Sequence, residues 1–460
     1  MSLGRREFLT WTGLTALGAA ALVATGCAGR SPAPTSGGTR DLLKIGLYSW
    51  DEITYLPTQI RWLGLSYARI GGVMSDSIMT FCANNNIEVL LNVSPATARS
   101  SFSTDADFIA AYLAQIDTAL NKYGPQGTFW KANPTLPNKP VAQIEVCNEP
   151  NTPGYGFIGT RAEIAGLYAQ VLIAAYNHIK ATWPAVTVVG FATSGASNAA
   201  PDFVSAVMTA LQDAGQVNCF DVMSIHPYSS DQPPEQVITE SWGTWVASES
   251  MHTVRQLMPK FGVDKPLWIT EFGYQISHAE GGKFAAPSID ASGNPETVTP
   301  AQQAAYTIRM NMASARYGIN RVYHMSALDT DNCNSGWFGP DPNHDPRPVA
   351  TAMRQVIRLL SGATYLEIVY DGGIASPGSP YAYRFSTPHG RVMVAWCQIP
   401  TNVTLPIDPS TQTVVTDMLG NTITTLTGGS YLASLSETPI FLHSRSSPTP
   451  SSSLTSWRPL

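Results

Sequence analysis

The 460-residue chain is short of charge: Lys, Arg, Asp and Glu make up only 13% of it, and the formal net charge is −6. No run of basic residues is present to follow a phosphate backbone, so no nucleic-acid partner is expected. Cysteine is scarce as well. The six cysteines form no CxxC pair and no Cys/His cluster, which excludes the usual structural zinc sites. No Gly-rich phosphate-binding turn follows the first strand-like run, which argues against a doubly wound dinucleotide-binding sheet. A Gly-x-Ser-x-Gly elbow is also missing, and with it the signature of a serine hydrolase. What the chain does have is apolar and aromatic residues, 44% and 10% of the total, enough for a sizeable core. The 11 Trp and 18 Tyr also fit a protein that stacks rings on flat ligands such as sugars, although most rings in any protein serve the core.

The N-terminus reads as an export leader. Arg5-Arg6-Glu7-Phe8-Leu9 has the form of a twin-arginine signal, and the apolar run 14–24 is too short for a permanent bilayer helix. It ends at Ala24-Thr25-Gly26-Cys27, which has the form of a lipobox with Cys27 as the lipidated residue. Residues 1–27 are thus expected to be a signal and 28–42 a Gly/Ser/Pro/Thr-rich flexible linker. The protein is expected to be exported to the cell envelope, touching the membrane only through a lipid on Cys27. Five cysteines follow, Cys82, Cys147, Cys219, Cys333 and Cys397, an odd number that cannot all pair within one chain.

From residue 43 onward, short β-branched runs alternate with longer amphipathic ones. Strands are expected at 44–48, 67–70, 88–92, 143–147, 187–191, 221–225, 267–270 and 320–323. Helices are expected at 105–123, 161–183, 201–214, 300–317 and 347–360, where apolar residues recur at i, i+3, i+4. Eight strands with helices between them predict an α/β fold, a (β/α)8 TIM barrel over 43–361. After residue 361 the pattern changes to short strands separated by Gly, Pro, Asn and Asp: 365–370, 381–386, 392–397, 403–406, 413–417, 422–425 and 439–442. This predicts a C-terminal all-β, sandwich-like module over 362–446, followed by a Ser/Pro-rich tail at 447–460 expected to be disordered.

Two segments carry the chemistry. Glu149 follows the fourth expected strand, in Glu145-Val146-Cys147-Asn148-Glu149-Pro150-Asn151. Glu271 follows the seventh, in Leu267-Trp268-Ile269-Thr270-Glu271-Phe272-Gly273-Tyr274. Carboxylates at the C-terminal ends of barrel strands stand on the face where such barrels build their sites. The fourth and seventh strands lie nearly opposite each other, so the pair can flank a glycosidic bond. Alternatively, each Glu caps the helix after it or pairs with a surface Arg.

Asn148-Glu149-Pro150 and Thr270-Glu271-Phe272-Gly273 resemble the paired motifs of clan A of the glycoside hydrolases. The wider 145–151 phrase is similar to those of families 39, 5 and 51, with Cys147 as a departure before the Asn. The resemblance implies a retaining β-glycosidase acting on oligo- or polysaccharides. In it Glu149 is the acid/base and Glu271 the nucleophile, and neither metal nor other cofactor is needed. It further implies that Arg69 holds Glu271 ionised, that Asn148 binds the sugar 2-hydroxyl, and that His226 and Tyr228 of His226-Pro227-Tyr228 attend the acid/base and the nucleophile. Leu435-Ser436-Glu437-Thr438-Pro439 looks like the closing strand of accessory domains in the clan.

Trp50, Tyr155 and Trp337 are candidates for stacking sugar rings. After strand eight, where many relatives place a Trp, the chain reads Tyr323-His324-Met325. Either His324 or Trp337 takes that floor position, or the subsite is open. The same carboxylates would serve a transglycosylase, and loss of either would leave a non-catalytic carbohydrate-binding lipoprotein.

Overall fold

The computed structural model describes residues 42–444, apart from 73, 153–154, 196–198, 241–242, 286–295, 331–332 and 373–376. The expected leader with Cys27, nearly all of the linker and the tail lie outside the described residues. Within them, eight parallel strands close into a barrel: β1 Lys44–Ser49, β2 Tyr67–Ile70, β3 Glu88–Val93, β4 Gln143–Val146, β5 Thr187–Ser194, β6 Val222–His226, β7 Leu267–Ile269 and β8 Arg321–Met325. The ring closes where β1 and β8 run side by side, from Lys44 opposite Arg321 to Tyr48 opposite Met325. Every expected barrel strand is present, with ends that differ by a few residues.

Each strand leads to a helix: α1 Pro57–Leu63, α2 Asp76–Asn84, α3 Asp105–Tyr123, α4 Arg161–Thr182, α5 Ala199–Asp213, α6 Ala247–Leu257, α7 Pro300–Arg316 and α8 Pro348–Leu360. Side-chain caps from Ser75, Thr104, Thr160 and Thr299 start α2, α3, α4 and α7. Thr160 and Thr299 each form a capping box, with Glu163 and Gln302 respectively. Of these eight, α1, α2 and α6 were not anticipated, nor was the short helix Thr128–Ala132 after α3. The first two are short, and α6 buries Ser248 and Ser250 alongside Ala247, Met251 and Val254, which blurs its apolar stripe.

Alternation along the strands decides what the barrel encloses. Leu90, Val189, Val222, Trp268 and Tyr323 form a separate buried cluster inside the ring. Gly46 is what admits Tyr323, because a Cβ there would lie 2.5 Å from that ring. Arg321 sits between Tyr67 and Trp268, its guanidinium carbon 4.8 and 4.3 Å from their ring centroids, and closes the N-terminal end. Toward the C-terminal end the inward positions turn polar, with Arg69 on β2, Asn92 on β3, Glu145 on β4 and Ser224 on β6, all buried.

The C-terminal module is entirely antiparallel. Its strands are β9 Tyr365–Tyr370, β10 Tyr381–Thr387, β11 Gly390–Trp396, β12 Thr401–Pro406, β13 Thr413–Thr416, β14 Thr422–Leu426, β15 Ser430–Leu435 and β16 Ile440–Ser444. Six form one sheet in the order β9-β10-β11-β16-β13-β14, and β12 pairs with β15. The small sheet covers one face of the large one, with Leu405, Ala433 and Leu435 against Ala382, Met393, Ala395 and Leu442. On the opposite face Tyr383, Phe385, Val392, Val394, Trp396 and Phe441 belong to the same core as the barrel helices. The sandwich is therefore lopsided, and its outer layer has two strands. The phrase 435–439 is not itself a closing strand. Leu435 ends β15, and 436–439 connect it to β16. None of the five cysteines among the described residues is in a disulfide.

A core shared by barrel and module predicts shared unfolding. Phe385→Ala should cost about 3–5 kcal/mol, the usual range for a buried Phe. Far-UV circular dichroism and Trp fluorescence should still lose signal at one denaturant midpoint. Two separated midpoints would show that the module unfolds on its own.

Candidate active site

The turn after β4 is built from unusual backbone. Cys147 and Glu149 have φ of 66° and 40°, and Phe191 and Ala192 on the neighbouring β5 have 81° and 39°. Side chains rarely tolerate this left-handed region, and such residues gather where function fixes the backbone. The two turns are tied together, because the Glu149 N–H donates to the Ala192 carbonyl at 3.0 Å. Cys147, the departure in the motif, is fully buried, and burial pushes its thiol pKa up. It therefore stays a neutral thiol, a small apolar filler.

Glu149 and Glu271 meet across the mouth of the barrel. One carboxylate oxygen of each, together with a nitrogen of His226, lie within 4.8 Å of one another. Their partners differ. Glu271 accepts from Arg69 Nη1 at 2.8 Å and from the Tyr228 hydroxyl at 2.6 Å. Glu149 is 3.0 Å from His226 Nδ1, and His226 Nε2 is 3.0 Å from Thr270 Oγ1. These three could in principle ligate a cation, but both imidazole nitrogens are already engaged, and a guanidinium supplies positive charge to Glu271.

That guanidinium belongs to Arg69, which is fully buried. Its Nε donates to Glu145 Oε2 at 2.7 Å and its Nη2 to Asn148 Oδ1 at 2.6 Å, and its guanidinium carbon lies 4.4 Å from the Tyr48 ring centroid. Burial works against the charge, but Glu145 and Glu271 outweigh it and hold the Arg69 pKa above its ordinary value. Glu145 is likewise fully buried. Burial alone would raise its pKa, yet Arg69, then His226 and the hydrogen bonds, hold it below the ordinary carboxylate value. Asn92 Nδ2 and Ser224 Oγ each donate to it at 3.0 Å. Tyr228 is the reverse case. Burial and the adjacent Glu271 push its phenol well above the usual tyrosine pKa, so it remains a hydrogen-bond donor.

The structure therefore gathers Glu149, Glu271, Arg69, Asn148, His226 and Tyr228 into one site. With the Asn148 amide oxygen held by Arg69, its NH2 has no protein partner among the described residues. Trp50, half-buried at the end of β1, packs its ring 4.6 Å from that of Tyr48. Tyr155 is half-buried in the loop after β4. Trp337 needs correction as a stacking residue. It is only 1% exposed and lies 5.2 Å from the His324 ring, so it offers no open face. His324 is not the floor either. It points out of the barrel to Asn311 on α7, and burial pushes its pKa down to about 3. Met325 fills the inward position at the end of β8, its Sδ 3.3 Å from the Tyr228 hydroxyl. Glu145 is the residue that sequence reasoning missed as a participant. Its signal was position, because it shares the inward face of β4 with Gln143.

No family model matches the chain, and no curated protein matches it by sequence. Solved structures do match. A glucosidase from Croceicoccus marinus superposes with a TM-score of 0.54 at 12% identity, covering 84% of this chain and 90% of its own. A family 39 β-xylosidase from Caulobacter crescentus gives 0.54 at 13%, covering 89% and 97%. A family 30 subfamily 8 xylanase from Clostridium acetobutylicum gives 0.52 at 15%, covering 87% and 95%. The chain has the fold of these glycoside hydrolases. The coverage includes both barrel and module, so the likeness extends to the two-part architecture.

The buried charges predict an acid-sensitive stability. Glu145 binds a proton less readily in the folded protein than in the unfolded chain. Its contribution is therefore complete above the ordinary value of 4.5 and is lost as pH falls toward the depressed folded value. Glu145→Gln should cost about 3 kcal/mol near neutrality, the lower end for breaking a buried pair. Urea denaturation should show this difference narrowing as pH falls below the ordinary value. A difference that stays constant in acid would place the effect elsewhere.

Proposed function

We propose that the protein is a retaining β-glycosidase of clan A acting on oligo- or polysaccharides. The observation that carries this reading is the close approach of two carboxylates with unlike partners. Retaining enzymes hold the pair about 5–5.5 Å apart, whereas inverting ones leave about 6.5–9.5 Å for a water. Oxygens within 4.8 Å of each other fit the first geometry. The barrel fold and the glucosidase, xylosidase and xylanase neighbours lend further support, and β-glucosides and β-xylosides are the first substrates to try.

In this mechanism Glu271 is the nucleophile. Arg69 and Tyr228 hold it in position, and its carboxylate displaces the leaving group to form a glycosyl ester. Glu149 gives its proton to the departing oxygen and then takes one from the incoming water. His226 suits this exchange because it touches Glu149 and is itself oriented by Thr270. Asn148, held through its amide oxygen, offers its NH2 to the sugar 2-hydroxyl.

Removing each carboxylate should separate the roles. Glu271→Ala should abolish turnover of every substrate. Glu149→Ala should still be glycosylated by a dinitrophenyl β-glycoside, because that leaving group needs little acid help. Loss of the base should then slow breakdown by about 10²–10⁴-fold. Azide should restore turnover and yield the β-glycosyl azide, as nuclear magnetic resonance of the product would show. A β-azide from Glu271→Ala instead would reverse the assignment.

We also propose export with a lipid on Cys27, on the strength of the twin-arginine and lipobox-like phrases. Cys27→Ala should move the protein from the detergent phase to the aqueous phase in a partitioning experiment. Unchanged partitioning would rule the anchor out.

A further inference from the structure

The loop after β6 is held at both ends by side chains. Near its start, Tyr228 donates to Glu271, and Ser229 is hydrogen-bonded to the Tyr274 hydroxyl at 2.7 Å. Near its end, Glu235 is 3% exposed, and two elements outside the loop share its carboxylate. Arg309 of α7 donates to Oε1 through Nε at 3.1 Å and to Oε2 through Nη2. Trp396, the last residue of β11 in the module, donates to Oε1 through its indole N–H at 3.0 Å. The indole lies flat on Tyr381 at 4.9 Å and meets Tyr383 edge-on at 5.4 Å, so its direction is fixed. Glu437, between β15 and β16, joins the same cluster. Its carbonyl accepts from Arg309 Nη1 at 3.4 Å and its carboxylate from the Tyr306 hydroxyl at 3.2 Å.

Elsewhere the module is joined to the barrel by apolar packing and by polar contacts far from this loop, from Arg316 to Asp371 and from Gln355 to Thr416 and the Asp417 carbonyl, so the Glu235 cluster is not needed merely to hold the two together. A buried carboxylate and guanidinium add little net stability over well-packed apolar residues, but they fix geometry. Between Tyr228 and Glu235, Pro233 and Pro234 carry no backbone N–H, and the backbone bonds here include one turn, from Gln232 to Ser229, and one anchor, from Ser248 of α6 to the Pro234 carbonyl. The loop takes its course from the groups that grip its ends.

We propose that Glu235 and Trp396 are positioning residues: through them the β-module sets where the Tyr228 hydroxyl meets Glu271. The module is then a structural part of the active site rather than an appended sugar-binding unit. The kinetic consequence rests on the glycosidase reading, whereas the clamp itself rests on the contacts alone.

A double-mutant cycle tests the coupling, on the full chain with an aryl β-glycoside. Trp396→Phe keeps an aromatic ring against Tyr381 and removes the N–H. It should lower kcat about tenfold with KM little changed, within the hundredfold that a misplacement of about 1 Å can cost. In a Tyr228→Phe background the same change should cost less than about twofold, because the group it positions has gone. Equal losses in both backgrounds would overturn the proposal.

Hydrogen exchange read by mass spectrometry keeps the clamp testable without turnover. Peptides from 227–237 should exchange faster in Trp396→Phe, while peptides from α3 stay unchanged. If the native protein cleaves no glycoside, the functional reading fails, and exchange alone decides the clamp. Unaltered exchange in 227–237 would refute it.

Discussion

The buried guanidinium of Arg69 organises the active site. Arg69 projects into the barrel from β2 and has no water to share its charge with, so protein groups must satisfy its donors. They are satisfied by Glu145, Glu271 and Asn148. An ionised Glu145 is tolerable inside a barrel only because Arg69 is there, and Arg69 is tolerable only because two carboxylates face it. Glu149 stands outside this arrangement, in contact with His226. The difference between the two mouth carboxylates thus follows from which of them the guanidinium reaches.

Most of the fold was legible because barrel strands announce themselves. Runs such as those of β3 and β7 are short, largely apolar and spaced by amphipathic helices, and all eight were anticipated. What escaped had weak or misleading local signals. The stripe of α6 includes buried serines, and β15 carries Leu432 exposed on its outer side. The site shows the same division. Glu149 and Glu271 are visible because a carboxylate directly after an apolar strand is unusual. Glu145 lies within a strand, where only the in–out alternation marks it, and its meaning depends on an arginine 76 residues away in the chain. Trp337 and His324 misled for the opposite reason. A large ring in a loop suggests a binding surface, but here the long loop after β8 folds back and buries its own Trp.

The strained backbone at the ends of β4 and β5 fits the same picture. Cys147, Glu149, Phe191 and Ala192 all hold left-handed conformations without being glycine, and hydrogen bonds pin them from neighbouring strands. Tyr112 and Tyr168 take part: their hydroxyls donate to the Val93 and Val146 carbonyls and accept from the Cys147 and Phe191 amides. Buried phenols on the surrounding helices thus stabilise strand ends that would otherwise relax.

The fork of Arg69 also has a mechanical meaning. A barrel of eight strands can deform without breaking any ladder, by flattening from a circle toward an ellipse. The guanidinium starts from β2 and grips side chains on β4 and just beyond the end of β7, so it spans the lumen like a cross-brace in a hoop. Flattening along either direction would stretch one of its short hydrogen bonds. The group that sets the charge of the site therefore also stiffens the cross-section of the ring around it.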